Sequence, residues 1–224
     1  LSNGNRTIVS DNSIGTGTNF GGIVSLALDS SETKAYVADR ENNAIFEVDL
    51  ATGNRVIISD SGTGGGVNFS SIGSIVLNDS DDIIYCLDSE NDKLIRVEIS
   101  NGDRSILSGE GVGSGLRLQF STAGPVLSSD KNRLYIAGDE QNTSALLSIN
   151  LSNGDRTIVS NSSRGTGTSI ITSYGVAINS SETKAYITTN APYILIEVDI
   201  ATGNRTTISG PVGYGAGPSF FGVA

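Results

Sequence analysis

The chain has 224 residues, of which 37% are hydrophobic, enough for one large β-domain or two small domains. Its formal net charge of −10 makes nucleic acid and anionic membrane surfaces unfavourable partners, because an acidic surface repels both. It contains no histidine, which excludes Ser-His-Asp and Cys-His catalysis and imidazole metal sites.

A phrase that contains a Gly-(Asn/Asp)-Arg turn occurs five times along the chain. The turn glycine falls at Gly4, Gly53, Gly102, Gly154 and Gly203, with spacings of 49, 49, 52 and 49 residues. A fixed period near fifty residues indicates a series of similar supersecondary units packed side by side.

Each unit reads as four short strands separated by polar turns. In the first unit the apolar runs predict strand a over 23–29, strand b over 34–39, strand c over 44–50 and strand d over 55–60. The Thr-Gly or Asn-Gly pair between strands c and d supplies the positive-φ glycine of a tight hairpin. Strands b and c are apolar on both faces, as expected for a sheet that packs between two neighbours.

These features predict an all-β fold, a β-propeller of four-stranded antiparallel blades, in a single propeller domain or fragment over 1–224. The complete blade units span approximately 11–60, 61–108, 109–160 and 161–209. Partial units lie at 1–10, read as a fifth strand d, and at 210–224, where "FFGVA" begins a further strand a. No apolar stretch approaches the roughly 20 residues of a membrane span.

The phrase "KAYVADRENNAIFEVDLATGNRVII" (34–58) resembles the blades of NHL and YWTD repeats, and of SMP-30/gluconolactonase-like and TolB-like propellers. The segment "YGVAINSS" (174–181) is similar to the strand-a phrase of NHL repeats. The chain has no tryptophan, so it departs from the WD and YWTD signatures. The resemblance implies a ring that typically closes at six blades, and it implies little about function, because these propellers include enzymes, receptors and scaffolds.

Four complete units are too few for a ring of six. Three explanations stay open: the remainder of the propeller belongs to a longer chain, copies of the chain form a homo-oligomer that completes the ring, or four or five blades close into a compact ring. An open arc would expose strand edges and an apolar blade face, which proteins normally cover.

Few residues have side chains in a pattern typical of catalysis or phosphate binding. The single cysteine, Cys86, sits in the apolar run "IIYCLD" (83–88) and is read as a core residue. The glycine-rich loops recur once per unit and lack the Gly-Lys-Ser/Thr of a phosphate-binding loop, so they are read as connectors.

The b–c and d–a connections share one end of the blades, because successive strands alternate in direction. Three of the four b–c loops are acidic, and the candidate ligand-contacting residues there are Asp39, Glu41, Asp88, Glu90, Asp92, Asp139 and Glu140. Oxygen ligands of this kind suit Ca²⁺, although no EF-hand spacing is present. Ordinary acidic turns that bind no metal or other cofactor are the alternative.

The resemblance to SMP-30 implies a divalent metal held in the channel by a Glu, an Asn and an Asp. The strand-a segments offer no Glu, and Asp29, Asn78 and Asn179 fall beside the a–b turns, so the triad has no matching positions here.

The sequence is therefore compatible with two functions. The first is a non-catalytic binding or structural propeller for protein or glycan ligands, located outside the cell, in the periplasm or on the cell surface. The alternative is an SMP-30/gluconolactonase-like metal-dependent hydrolase or lyase whose site lies in blades missing from this chain.

Overall fold

The computed structural model describes residues 4–115, 124–140, 143–190 and 193–210, without the side chains of residues 139, 140 and 143. The described residues form sixteen β-strands and no helix. The strands make four antiparallel sheets of four, each ordered as in the sequence, so the predicted fold of four-stranded blades is confirmed. Within this part of the chain, no helix has the length and apolar character needed to cross a membrane.

The four strands of each blade are called a to d in chain order. Blades 1 and 2 contain β1 (Ile23–Leu28), β2 (Lys34–Asp39), β3 (Ala44–Asp49), β4 (Arg55–Ser59), β5 (Ile72–Leu77), β6 (Ile83–Asp88), β7 (Lys93–Glu98) and β8 (Arg104–Ser108). Blades 3 and 4 contain β9 (Val126–Leu127), β10 (Arg133–Glu140), β11 (Thr143–Asn150), β12 (Arg156–Ser160), β13 (Ser173–Ile178), β14 (Lys184–Thr189), β15 (Leu195–Asp199) and β16 (Arg205–Ser209).

Two predictions differ from the structure. Asp139 and Glu140 were expected to lie in a b–c loop, but β10 continues to Glu140, where it pairs with Thr143 of β11. Residues 4–10 were expected to be a fifth strand d but form no strand, because no strand c lies beside them in the described structure. The expected strand a at 220–224 lies outside the described residues.

The a–b turns are organised by one polar side chain at the end of strand a. In blade 1, Asp29 Oδ1 accepts hydrogen bonds from the backbone amides of Thr33 and Lys34, both at 2.8 Å. The Ser31 hydroxyl and the backbone amide of Lys34 together lower the pKa of Asp29 to about 2. Asn78 and Asn179 bind the amides of their own a–b turns in the same way, so all three residues have a structural role.

The apolar core lies between adjacent blades. At the junction of blades 1 and 2, Tyr36 and Ile45 of blade 1 pack against Ile75, Ile84 and Cys86 of blade 2. Equivalent clusters join blade 2 to blade 3 and blade 3 to blade 4. Cys86 is fully buried, as predicted, and burial raises the pKa of its thiol, so it behaves as a small core residue.

Candidate ligand-binding face

The end of the blades that carries the b–c and d–a connections is called the ligand face. In blade 1 its two connections are joined by Asp39, the last residue of strand b, whose side chain is fully buried. The Asp39 carboxylate accepts hydrogen bonds from the backbone amides of Gly21 (2.7 Å) and Gly22 (2.9 Å) and from Asn42 (3.0 Å). Burial alone would raise the pKa of Asp39, but these hydrogen bonds outweigh it and lower the pKa.

Asp88 repeats this arrangement in blade 2. It is fully buried, and its carboxylate accepts from the backbone amides of Ser70 at 2.8 Å and Ser71 at 3.1 Å. Two of the seven candidate residues therefore fasten the d–a loop to the end of strand b and point away from solvent. These hydrogen bonds fix the start of each b–c turn to the adjacent d–a loop.

The remaining candidate residues are distributed over three blades. Glu41 and Glu90 are exposed at the turn tips, and Asp92 is half-buried with a φ of 50°. Asp139 and Glu140 lie in β10, and their side chains are outside the described set. Among the residues described, no three Asp, Glu or Cys side chains lie close enough to hold a metal ion. The calcium site stays a prediction.

Two recesses open at successive blade junctions. The first, of about 380 Å³, lies between blades 2 and 3 and is lined by Asn91, Asp92, Glu110, Arg156 and loop glycines. The second, of about 240 Å³, lies between blades 3 and 4 and is lined by Ser144 of strand c, by d–a loop residues that include Asn161 and Ile170, and by Arg205. Both recesses are formed by a d–a loop and the first residue of a strand d, and acidic side chains line the first.

In blade 4 the b–c connection differs in composition. Its "TNAPY" segment (189–193) has no acidic residue, and 191–192 lie outside the described part of the chain. The backbone amide of Asn190 donates to Thr172 O (2.9 Å), and its side-chain amide donates to the Tyr174 hydroxyl (2.7 Å). Neutral groups of Asn190 thus bind the b–c connection of blade 4 to the d–a connection and to strand a.

The sequence reading missed the role of the d–a glycines. Gly64 and Gly66 have φ angles of 80° and 92°, and a Cβ on either would lie 2.0 Å from Gly102 O or 1.8 Å from Arg104 O. The same pair of glycines packs equally tightly in the other three units. These loops are therefore close-packed against strand d and are more than flexible connectors.

A recurrent arginine was also missed. The first residue of every strand d (Arg55, Arg104, Arg156 or Arg205) extends into the d–a loop of its own unit, and these four residues are called the arginine staples. Arg104 donates to Val67 O (2.6 Å), to Thr63 O (2.8 Å) and to the hydroxyl of Ser59, the last residue of the preceding blade (2.7 Å). Arg104, Arg156 and Arg205 each join two blades and the loop between them, whereas Arg55 joins blade 1 to the segment around Ser10. The repeated Gly-(Asn/Asp)-Arg phrase is the sequence signal of the staples.

Known proteins resemble this chain in structure but not in sequence. No family model and no curated protein sequence matches the chain. A chain of a nidogen/laminin complex superposes with a TM-score of 0.65 and 16% identity, over 83% of this chain and 64% of that chain. Kuenenia stuttgartiensis hydrazine synthase gives 0.63 and 14%, over 86% and 51%. TolB from Acinetobacter baumannii gives 0.59 and 15%, over 84% and 43%.

These likenesses, at low sequence identity, concern the fold alone. The protein is of the β-propeller class, built from four-stranded blades. Solved propellers, TolB among them, share this arrangement, as the sequence resemblance implied, whereas an NHL or SMP-30 type stays a prediction. The chain spans less than two thirds of the length of each of these three chains.

Proposed function

We propose that the protein is a non-catalytic binding propeller that holds a protein ligand on its ligand face. The two recesses at successive blade junctions carry this proposal, because an extended peptide segment that crosses the blades could place one side chain in each. The buried carboxylates of Asp39 and Asp88 support it further, since they hold the turns in fixed positions before a ligand arrives.

The charge of the face suggests the chemistry of the ligand. Glu41, Glu90 and Glu110 are exposed there, and the whole chain carries a net charge of −10. A ligand segment with Lys or Arg would be attracted to this surface and oriented by it. Glycans are the second ligand class under the same proposal, bound through the polar groups of the recesses. The acidic, methionine-free composition is our reason for placing this binding outside the cell, in the periplasm or on the cell surface.

Selection of a phage-displayed random peptide library on the 224-residue chain tests the proposal. We expect selected peptides to be basic, and we expect Glu90→Gln/Glu110→Gln to weaken their binding about 3- to 10-fold, with a smaller effect at high salt. Glu32→Gln/Asp79→Asn, which removes two exposed charges from the a–b turns, is the matched control and should bind as the wild type does. Equal losses in both variants, or peptides without basic residues, would contradict the proposal.

A further inference from the structure

Blade 3 departs from the other blades at one position of strand c. The third residue from the end of this strand is Glu47, Arg96 or Glu197 in blades 1, 2 and 4, but it is Ser148 in blade 3. In every blade this residue lies opposite a tyrosine of strand b, so the four positions have the same register. Blade 3 therefore has a short neutral side chain where the other three blades have a long charged one.

In blades 1 and 4 this glutamate binds the lysine that begins strand b. The distance from Lys34 Nζ to Glu47 Oε1 is 2.9 Å, and the distance from Lys184 Nζ to Glu197 Oε1 is 2.6 Å. The hydrogen bond from each lysine to its glutamate raises the pKa of that lysine. A carboxylate at this position of strand c thus pairs with the cation at the start of strand b, even in a protein with a net charge of −10.

Blade 3 keeps the cation but lacks the acidic residues of strand c. Its strand b begins with Arg133, which lies opposite Asn150, the last residue of strand c. In the other blades that last residue is acidic (Asp49, Glu98 or Asp199). Arg133 is exposed, and its guanidinium makes no hydrogen bond or salt bridge with any residue that the structure describes. The Asp130 carboxylate interacts with it electrostatically but is already bound within the a–b turn by the Ser128 hydroxyl at 2.5 Å.

The short side chains of strand c leave a recess at the end of blade 3 that lies opposite the ligand face. Its volume is about 200 Å³, and it is lined by Arg133, Ser148, Asn150, Asp155 and Thr157. Pockets for drug-sized ligands measure about 300 Å³ or more, so this recess has room for one side chain and not for a larger ligand. Thr157 is exposed and belongs to β12, the edge strand of the blade, so a peptide that lies along this edge can reach the recess.

The groups that remain free in this recess are hydrogen-bond donors. Asn150 Oδ1 already accepts from the backbone amide and the hydroxyl of Ser152, at 2.8 and 2.7 Å. Asp155 Oδ1 accepts from the backbone amide and the hydroxyl of a serine in the d–a loop, at 2.6 and 2.7 Å. Ser148 is only 5% exposed, and its hydroxyl has no hydrogen-bond partner among the described residues. A buried hydroxyl and a guanidinium that both lack such partners favour a negatively charged acceptor.

We propose that this recess binds an acidic side chain of a partner protein, a Glu or Asp whose carboxylate pairs with Arg133 as the glutamate pairs with the lysine in blades 1 and 4. The Ser148 hydroxyl and the side-chain nitrogen of Asn150 donate to the same carboxylate. A single negative charge suits the recess better than a doubly charged phosphate, because the Asp155 carboxylate also lines it. The site lies at the other end of the blades from the ligand face and does not depend on a ligand bound there.

Two tripeptides that differ in one group test the proposal: N-acetyl-Gly-Glu-Gly-amide and the same peptide with Gln in place of Glu. Each is titrated into the isotope-labelled 224-residue chain, and binding is read from the amide shifts of Ser148 and Thr157 in nuclear magnetic resonance spectra. We expect the glutamate peptide to bind at least about tenfold more tightly than the glutamine peptide, because its carboxylate forms charge-assisted hydrogen bonds. Arg133→Gln should remove this preference. Lys34→Gln, which removes a cation already paired in blade 1, is the matched control and should leave the preference unchanged.

Ser148→Glu supplies the carboxylate from within the chain. It should abolish binding of the glutamate peptide and raise the urea midpoint, and this gain, which also shows that the variant is folded, should disappear in the Arg133→Gln background. The proposal is overturned if the two peptides bind equally or not at all, if Ser148→Glu still binds the glutamate peptide, or if its midpoint change is equal in both backgrounds. It is also overturned if Lys34→Gln weakens binding as much as Arg133→Gln does. Tighter binding of inorganic phosphate than of the glutamate peptide would assign the recess to a free anion and contradict the proposal as well.

Discussion

Replacement of Arg104 by methionine should destabilise the protein strongly, because this staple is 5% exposed and joins three segments. Three hydrogen bonds of 2.6 to 2.8 Å, to Val67, Ser59 and Thr63, would be lost, and the guanidinium also lies 5.4 Å from the Phe69 ring centroid. At about 1.5 kcal/mol for each charge-assisted hydrogen bond, with part of the packing retained by methionine, the loss is about 3–5 kcal/mol.

Urea unfolding followed by far-ultraviolet circular dichroism measures this loss, with the m-value checked for two-state behaviour. The chain offers a matched control in Arg6, which has the same place in the repeated phrase but is exposed. Arg6→Met should change the free energy of unfolding by less than about 0.5 kcal/mol. If Arg104→Met is as harmless as Arg6→Met, the staples do not hold the blades together.

Three further predictions concern the loops and turns. Gly66→Ala should lower the free energy of unfolding in urea by more than about 2 kcal/mol, because φ is 92° and the new Cβ would meet Arg104 O. Gly62→Ala is the control and should lower it by less than about 0.5 kcal/mol, because the atom nearest to its new Cβ is 3.6 Å away. Similar losses in the two variants would contradict this packing. Asp39→Asn should lower the free energy of unfolding by about 1–3 kcal/mol, because its amide group would face the backbone donors of Gly21 and Gly22. Glu41→Gln should leave the free energy of unfolding unchanged, and an equal effect of the two variants would argue that Asp39 does not hold the d–a loop. The lowered pKa of Asp29 stabilises the fold above pH 4, and the effect is lost as the pH falls towards 2. Asp29→Asn should therefore lower the thermal midpoint at pH 7 and flatten its acid limb, so that the two proteins converge towards pH 2, and an unchanged limb would contradict the assignment.

Most strands could be predicted from the sequence because the repeat shows each strand several times. The predicted strand b of blade 1 coincides with β2, and its strands a, c and d end one residue later than β1, β3 and β4. Residues 4–10 were one exception, because a strand needs a partner and the sequence phrase is the same with or without one.

The candidate site was less accessible to prediction. Asp39 and Glu41 lie in the same acidic turn and have the same carboxylate chemistry, yet one is buried and the other is exposed. What separates them is that Asp39 ends strand b, where the free amides of Gly21 and Gly22 approach in space. The spacing of these residues along the sequence does not reveal that the Asp39 carboxylate lies beside the amides of Gly21 and Gly22. The arginine staples were missed for a related reason, since their acceptors are backbone carbonyls, which no side-chain pattern reveals.

The footprint of a bound peptide tests the ligand face most directly. Amide hydrogen exchange of the 224-residue chain is compared with and without a selected peptide at saturating concentration. The account predicts slower exchange in the b–c turn at 88–92 and in the d–a loops around Glu110 and Asn161, which line the two recesses, with no change in the a–b turns at 29–34 and 78–83. Protection confined to the a–b turns would contradict it.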